Sequence, residues 1–316
     1  MTASSPSPVV PRRPLGRTGL MVSEIGFGAL EIGRDWAPDV NPNGTHRHLT
    51  AGEAERVLHG VLDLGINLID TAPAYWHSEE FIGRALVGRR DEYILATKVG
   101  EHCDPESGSH YDYSYEATLR FIERSLQRLR TDRIDLIQIH SAPMEVLERG
   151  ETLRALEDAR RAGKVLHIGM TGHVAECLRA VELGGYETVQ VPFNLINFQA
   201  AERLLPLAAE RGVGVLVMRP LAGGKLTDKC DRLADRALCD AIRGFLKVAD
   251  ANPSTEPLAG LALAWILAHP AVTSVLVGTR RLDAVRENIG AARVAMGPER
   301  VQGLREYAAA LTVKAW

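Results

Sequence analysis

The feature that most constrains this chain is an alternation carried through most of its length. Short apolar segments rich in β-branched residues are each followed by a longer stretch of helical periodicity. The apolar segments are Val22–Leu30, Asn67–Ala72, Tyr93–Gly100, Ile134–His140, Val165–Thr171, Thr188–Asn194, Gly214–Pro220 and Thr273–Thr279. Between them lie amphipathic stretches such as Glu53–Leu64, Tyr115–Leu129, Thr152–Arg161, Ala201–Arg211 and Ala284–Arg293. In Tyr115–Leu129, Leu119, Ile122, Leu126 and Leu129 recur every three or four positions and so share one helical face. Strands alternating with helices predict a parallel sheet.

Two parallel architectures compete. A doubly wound sheet that binds a dinucleotide carries a glycine-rich turn after its first strand. Here the first strand runs into GFGALEIG, which lacks the G-x-G-x-x-G spacing and is not followed at once by a helix. Units of roughly 30 residues instead suit a closed (β/α)8 barrel. No Pro/Ser/Gly-rich linker or shift of composition divides the chain. The expectation is therefore an α/β protein, a (β/α)8 TIM barrel over residues 15–316, behind a mobile N-terminal tail, 1–14. Two long insertions, Glu31–Leu49 and Glu101–Asp112, and an irregular region after Pro220 should stand over the C-terminal mouth, where barrels bind ligands.

Charge and cysteine usage narrow the class. The 37 basic and 40 acidic residues are mixed along the chain for a net charge of −3, which offers no basic face to a nucleic acid. Cys103, Cys177, Cys230 and Cys239 lie far apart with no Cys-x-x-Cys, which predicts reduced thiols, no metal centre and a cytoplasmic protein. The N-terminus lacks the apolar core of a secretory signal. The longest apolar run, Leu258–Ala268, is about half of what spans a bilayer, so no membrane partner is expected.

Polar residues that end barrel strands are the catalytic candidates. Those ends supply Asp70, Lys98 and His140, with Tyr75 five residues beyond Asp70. Singly, each has an ordinary explanation: a helix cap, a surface lysine, a packed histidine, a core tyrosine. Four at neighbouring strand mouths of one barrel form a coherent reaction centre. A phenol is a poor acid at neutral pH unless a nearby cation stabilises its anion. Lys98 would supply that cation and Asp70 would hold it in place. His140 would orient a substrate oxygen while Tyr75 protonates it, or deprotonates it in reverse, as a hydride moves.

The segments LGRTGLMVSEIGFGAL, GINLIDTAPAYWHSEEFIGRAL, ILATKVG and DLIQIHSAP resemble the aldo-keto reductase superfamily, from about Leu15 to Val294. The resemblance is to its sugar-, polyol- or pyridoxal-dehydrogenase-like bacterial branch. It implies a barrel that uses NADP, or NAD, to interconvert a carbonyl and an alcohol, with Asp70, Tyr75, Lys98 and His140 as its tetrad. It further implies carboxamide contacts from Thr171 and Gln190, with Gly172 standing where the family commonly has asparagine. Met218 occupies the place of a stacking aromatic, and Leu221 and Gly223 belong to the pyrophosphate-side loop. Gly278, Thr279, Arg280, Glu287 and Asn288 match the adenosine-phosphate clamp, in which Arg280 favours NADP. Gly28 would let the backbone approach the nicotinamide ribose.

Aromatic and polar residues in the insertions, notably Trp36, Trp76 and His102, are the candidate substrate contacts. Trp76 is the most distinctive, because the family often has glycine directly after the tyrosine. The expected partner is a small carbonyl or alcohol, sugar-like in character. Two other readings stay open: a non-catalytic cofactor-binding barrel, and a redox-assisted isomerase or lyase that retains its NADP. A metal-dependent barrel hydrolase is disfavoured because no H-x-H pair follows the first strand.

Overall fold

A computed structural model of the protein describes residues 10–34, 49–104 and 106–311. Among these, eight parallel strands close a barrel: β1 (Ile25–Gly28), β2 (Leu68–Asp70), β3 (Ile94–Val99), β4 (Ile134–His140), β5 (Val165–Thr171), β6 (Thr188–Pro192), β7 (Gly214–Met218) and β8 (Ser274–Val277). Each pairs with its neighbour in chain order, and β8 returns to β1. The barrel expected from the alternation is thus present, each strand lying within or at its apolar segment.

The described helices are α1 (Leu30–Gly33), α2 (Ala51–Asp63), α3 (Ser78–Ala85), α4 (Tyr115–Leu129), α5 (Met144–Arg149), α6 (Glu151–Arg161), α7 (Val174–Leu183), α8 (Leu204–Glu210), α9 (Arg236–Val248), α10 (Leu258–Leu267), α11 (Leu282–Ala291) and α12 (Pro298–Ala310). Local chemistry starts several of them. Thr50 and Glu53 form a reciprocal capping box on α2, and Ser114 caps α4 through the amide of Ala117. None of the described helices is long and apolar enough to cross a membrane.

Strand parity fills the barrel interior. Leu68, Ala96, Leu136, Leu216 and Leu276 point inward and form its lower apolar layer. Side chains two residues further along a strand return to the same face, so Asp70, Lys98 and Gln138 form the next layer up, and His140 the one above.

Three expectations need correction. Residues 12–14, read as tail, form a short strand, Arg12–Pro14, which pairs antiparallel with Met21–Ser23. This hairpin plugs the bottom of the barrel with Leu15 and Val22, both fully buried. The first apolar segment is accordingly divided, with Val22 in the plug and Leu30 opening α1. The insertion after β3 is a second hairpin, Glu101–Asp104 against Gly108–Tyr111, whose polar residues hide its strand character.

His102 is the third correction. Alternation along that hairpin buries Glu101 and Cys103 on one face and turns His102 to the other. His102 lines a cavity of about 370 Å³ with Arg120, Phe121 and Arg124 of α4. The structure does not bring it to the tetrad. Trp36 lies outside the described residues.

Candidate active site

The polar layer begins with a buried ion pair. Lys98 Nζ donates to both Asp70 oxygens, at 2.9 and 2.8 Å, and to the carbonyl of Thr71 at 2.8 Å. Both side chains are nearly inaccessible. Burial would lower the Lys98 pKa, but the Asp70 carboxylate, first among its neighbours, outweighs it and holds the ammonium above its usual value. Gln138 Nε2 donates to Asp70 Oδ1 at 3.1 Å, and Gln190 Nε2 to Oδ2 at 3.4 Å. Thr171 Oγ1 donates to Gln138 Oε1 at 2.9 Å, with Gln190 Oε1 at 3.4 Å. The carboxylate is thereby surrounded by donors on three strands, with Thr171 on a fourth bracing the two glutamines, as a buried charge requires.

Tyr75 ends a short 3₁₀ turn, Pro73–Tyr75, in which its amide donates to the carbonyl of Ala72 at 3.0 Å. The turn is pinned from two sides. Ser78 Oγ accepts from Thr71 Oγ1 and donates to the carbonyl of Ala29, both at 2.8 Å. Beneath the turn, Ala72, Ala74 and Cys103 pack against Tyr75 and Trp76. Lys98 Nζ lies 5.0 Å from the Tyr75 ring centre. Lys98 draws the phenol pKa down, as the sequence suggests, but burial acts more strongly and leaves it raised. Tyr75 therefore carries its proton at neutral pH.

His140 meets Tyr75 edge-on, with ring centres 6.1 Å apart. Its carbonyl accepts from Tyr113 OH at 2.7 Å, which anchors the strand end. Glu101 Oε2 lies 2.9 Å from Nδ1. Burial lowers the His140 pKa, so the ring is mainly neutral near pH 7. Glu101 and Gln138 were not among the sequence candidates. Gln138 had a readable signal, since it stands two residues before His140 on the same strand face.

The shape of this centre accords with a match over nearly the whole chain. A family model described as "Aldo/keto reductase family" covers residues 24–309. The chain belongs to the aldo/keto reductase family. It is 33% identical over 294 residues to L-galactose dehydrogenase of Arabidopsis thaliana, covering 88% of this chain and 87% of that one. It is 30% identical over 333 residues to NADH-specific methylglyoxal reductase of Escherichia coli (strain K12), covering 94% and 98%. The holo structure of aldo-keto reductase AKR11C1 from Bacillus halodurans superposes with a TM-score of 0.81 at 29% identity, covering 94% and 96%. This aldo/keto reductase is an NAD(P)H-dependent oxidoreductase.

The residues present fit such a cofactor. Gly28 and Gly278 end adjacent strands, and a Cβ on Gly278 would come within 3.1 Å of the Gly28 carbonyl. Two bare backbones therefore meet at the barrel rim, where a ligand can approach closely. Thr171, Gln190 and half-buried Met218 stand on β5, β6 and β7 of the same rim. The 3.4 Å contacts of Gln190 are long enough to exchange for a ligand amide at little cost. Leu221 and Gly223, the latter at φ +67°, lie in the loop after β7.

The segment after β8 is tied down at two of its first residues. Thr279 Oγ1 accepts from the Arg281 amide at 3.1 Å, and Arg280 Nε donates to the carbonyl of Glu31 at 2.9 Å. Arg280 thus ties the segment after β8 to α1, beside the Tyr75 turn. Glu287 and Asn288 sit on α11, Glu287 exposed and Asn288 half-buried.

Trp76 is half-buried at φ +50°, with the Arg34 guanidinium 5.7 Å from its ring centre. A backbone angle of that kind suits glycine, the residue the family often has here. Away from the mouth, the fold draws Cys230 and Cys239 together around Asp231. Arg243 lies 2.5 Å from that carboxylate, and burial pushes the Cys230 thiol up to about 11. A cation there would face a guanidinium and a neutral thiol.

Proposed function

We propose that the chain interconverts a small, sugar-like carbonyl and its alcohol, with Tyr75 as the proton-relaying group and NADP preferred over NAD. The observation that carries this reading is the buried Asp70–Lys98 pair set beneath a protonated Tyr75, with His140 alongside. The nicotinamide supplies or accepts the hydride at the carbonyl carbon. The chain's own residues handle the oxygen. In reduction, Tyr75 gives its proton to the oxygen as charge develops there, and Lys98 stabilises the phenolate left behind. Asp70 keeps that ammonium in place through two oxygens, so it need not reorganise during the reaction. Oxidation runs through the same contacts in reverse.

Arg280 supports the preference for NADP, because a guanidinium forks onto a phosphate and is never neutral. The Trp76–Arg34 pair beside the tyrosine supports a substrate with both a ring face and hydroxyl groups. The likeness to L-galactose dehydrogenase points the same way. The test is turnover by purified protein against aldehydes, ketones and sugars, read by NADPH and NADH fluorescence. Tyr75→Phe should cut kcat about 100-fold or more while leaving the cofactor Kd nearly unchanged. Retention of about a tenth of wild-type kcat would remove Tyr75 from this role.

A further inference from the structure

His140 offers two ring nitrogens, and the fold puts a carboxylate beside one of them. Glu101 Oε2 sits 2.9 Å from Nδ1, with each side chain 10% exposed. The approach is off the ideal N–H axis, so the contact is a close charge–dipole one rather than an aligned hydrogen bond. Among the described residues Nδ1 has no other partner. Glu101 is itself held: Ser109 Oγ donates to its other oxygen at 2.7 Å, and Tyr111 OH stands at 3.5 Å. The hairpin that carries Glu101 packs under the Tyr75 turn through Cys103. It is therefore part of the wall of the reaction centre.

We propose that Glu101 is a positioning residue for His140, holding Nδ1 as a donor so that Nε2 faces the substrate oxygen, and sustaining the imidazolium form by its charge. The consequence is chemical selection. With Nδ1 protonated, neutral His140 offers a lone pair at Nε2, which accepts from an alcohol. Imidazolium offers N–H there, which donates to a carbonyl. The protonation state of His140 thus decides which partner of the reaction is bound better. Burial and the Lys98 ammonium on β3 favour the neutral ring, while Glu101 on the hairpin and Asp70 on β2 favour the cation. The remaining titratable groups around the pair are Tyr75, edge-on to the ring, Tyr113, bonded to the His140 carbonyl, and Tyr111 and Arg34 near Glu101.

This inference takes from the proposed function only the identity of what Nε2 meets. The experiment is an NMR titration of the His140 imidazole in wild type, Glu101→Gln and Glu101→Asp. It is paired with the pH dependence of KM for 4-nitrobenzaldehyde and for its alcohol. Removing a charge in contact with Nδ1 should move the imidazole midpoint down by about one unit or more, a tenfold loss of imidazolium at fixed pH. The carbonyl KM at pH 6 should rise about tenfold relative to the alcohol KM, with a smaller change in kcat. Glu101→Asp should restore most of both. Ser109→Ala, which releases one bond to Glu101 at the hairpin surface, should shift the midpoint the same way by less. An unmoved midpoint in Glu101→Gln overturns the assignment; if that variant does not fold, an unmoved midpoint in Ser109→Ala does so. The midpoint is read without turnover, so an enzyme inert toward every carbonyl would refute the proposed reaction and not this role for Glu101.

Discussion

Gly33→Ala should disable the reaction centre without changing any of its side chains. A Cβ built on Gly33 would lie 2.4 Å from the carbonyl oxygen of Tyr75 and 2.3 Å from the amide nitrogen of Ser78. Both are backbone atoms, so no side chain can rotate out of the way. Ordinary contact begins near 3.4 Å, which means the Tyr75 turn must retreat by about 1 Å. It has little freedom to do so, because Ser78 Oγ is bonded on both sides, to Thr71 and to Ala29. A misplacement of about 1 Å in a reacting group costs on the order of 100-fold in rate. Forced overpacking costs about 1–3 kcal/mol, which lowers Tm by several degrees in a domain of this size. Gly52→Ala is the matched control, since a Cβ there meets nothing within 4 Å. Steady-state kcat with any turned-over carbonyl, cofactor Kd and Tm should separate the two variants. If Gly33→Ala keeps kcat within about threefold and its Tm unchanged, contact with α1 is not what places Tyr75.

Arg280→Ala should weaken NADP by roughly 1.5–3 kcal/mol, the scale of a lost charged hydrogen bond, and NAD far less; equal losses measured by fluorescence titration would assign Arg280 to the adenine or to α1. Trp76→Gly relieves a backbone strain of about 1–3 kcal/mol at φ +50° while removing an indole, so Tm should change little. Its kcat/KM should rise for bulky carbonyls relative to small ones, and a uniform loss together with a clear drop in Tm would mark Trp76 as packing alone. Glu79 is buried on α3, where it accepts from Thr97 Oγ1 at 2.8 Å, and burial raises its pKa. A group raised on folding stabilises the protein below its unfolded pKa and loses that contribution as pH rises through the folded value. Glu79→Gln should accordingly gain Tm relative to wild type as pH increases from 5 to 8, and parallel Tm curves would show that Glu79 does not titrate differently on folding.

The barrel, and the gathering of Asp70, Tyr75, Lys98 and His140 at one end of it, were legible in the linear chain because both rest on local regularities. Apolar segments of strand length, separated by helical periodicity, leave few parallel architectures, and the missing glycine-rich turn decided between the two in play. Strand parity then sends Asp70, Lys98 and His140 inward, above the layer of Leu68, Ala96 and Leu136. What the pattern could not specify is which distant side chains meet. Gln190 reaches Asp70 across 120 positions, and Glu101 faces His140 from a hairpin whose polar composition concealed its strands. The same hairpin's alternation turned His102 toward α4, and the open lower end of the barrel drew residues 12–14 into a plug. Those outcomes depend on the register and stagger of the closed sheet, and on the need to cover its apolar floor. Parity is a property of each strand alone, whereas the partner of a buried charge is chosen by the closure of all eight.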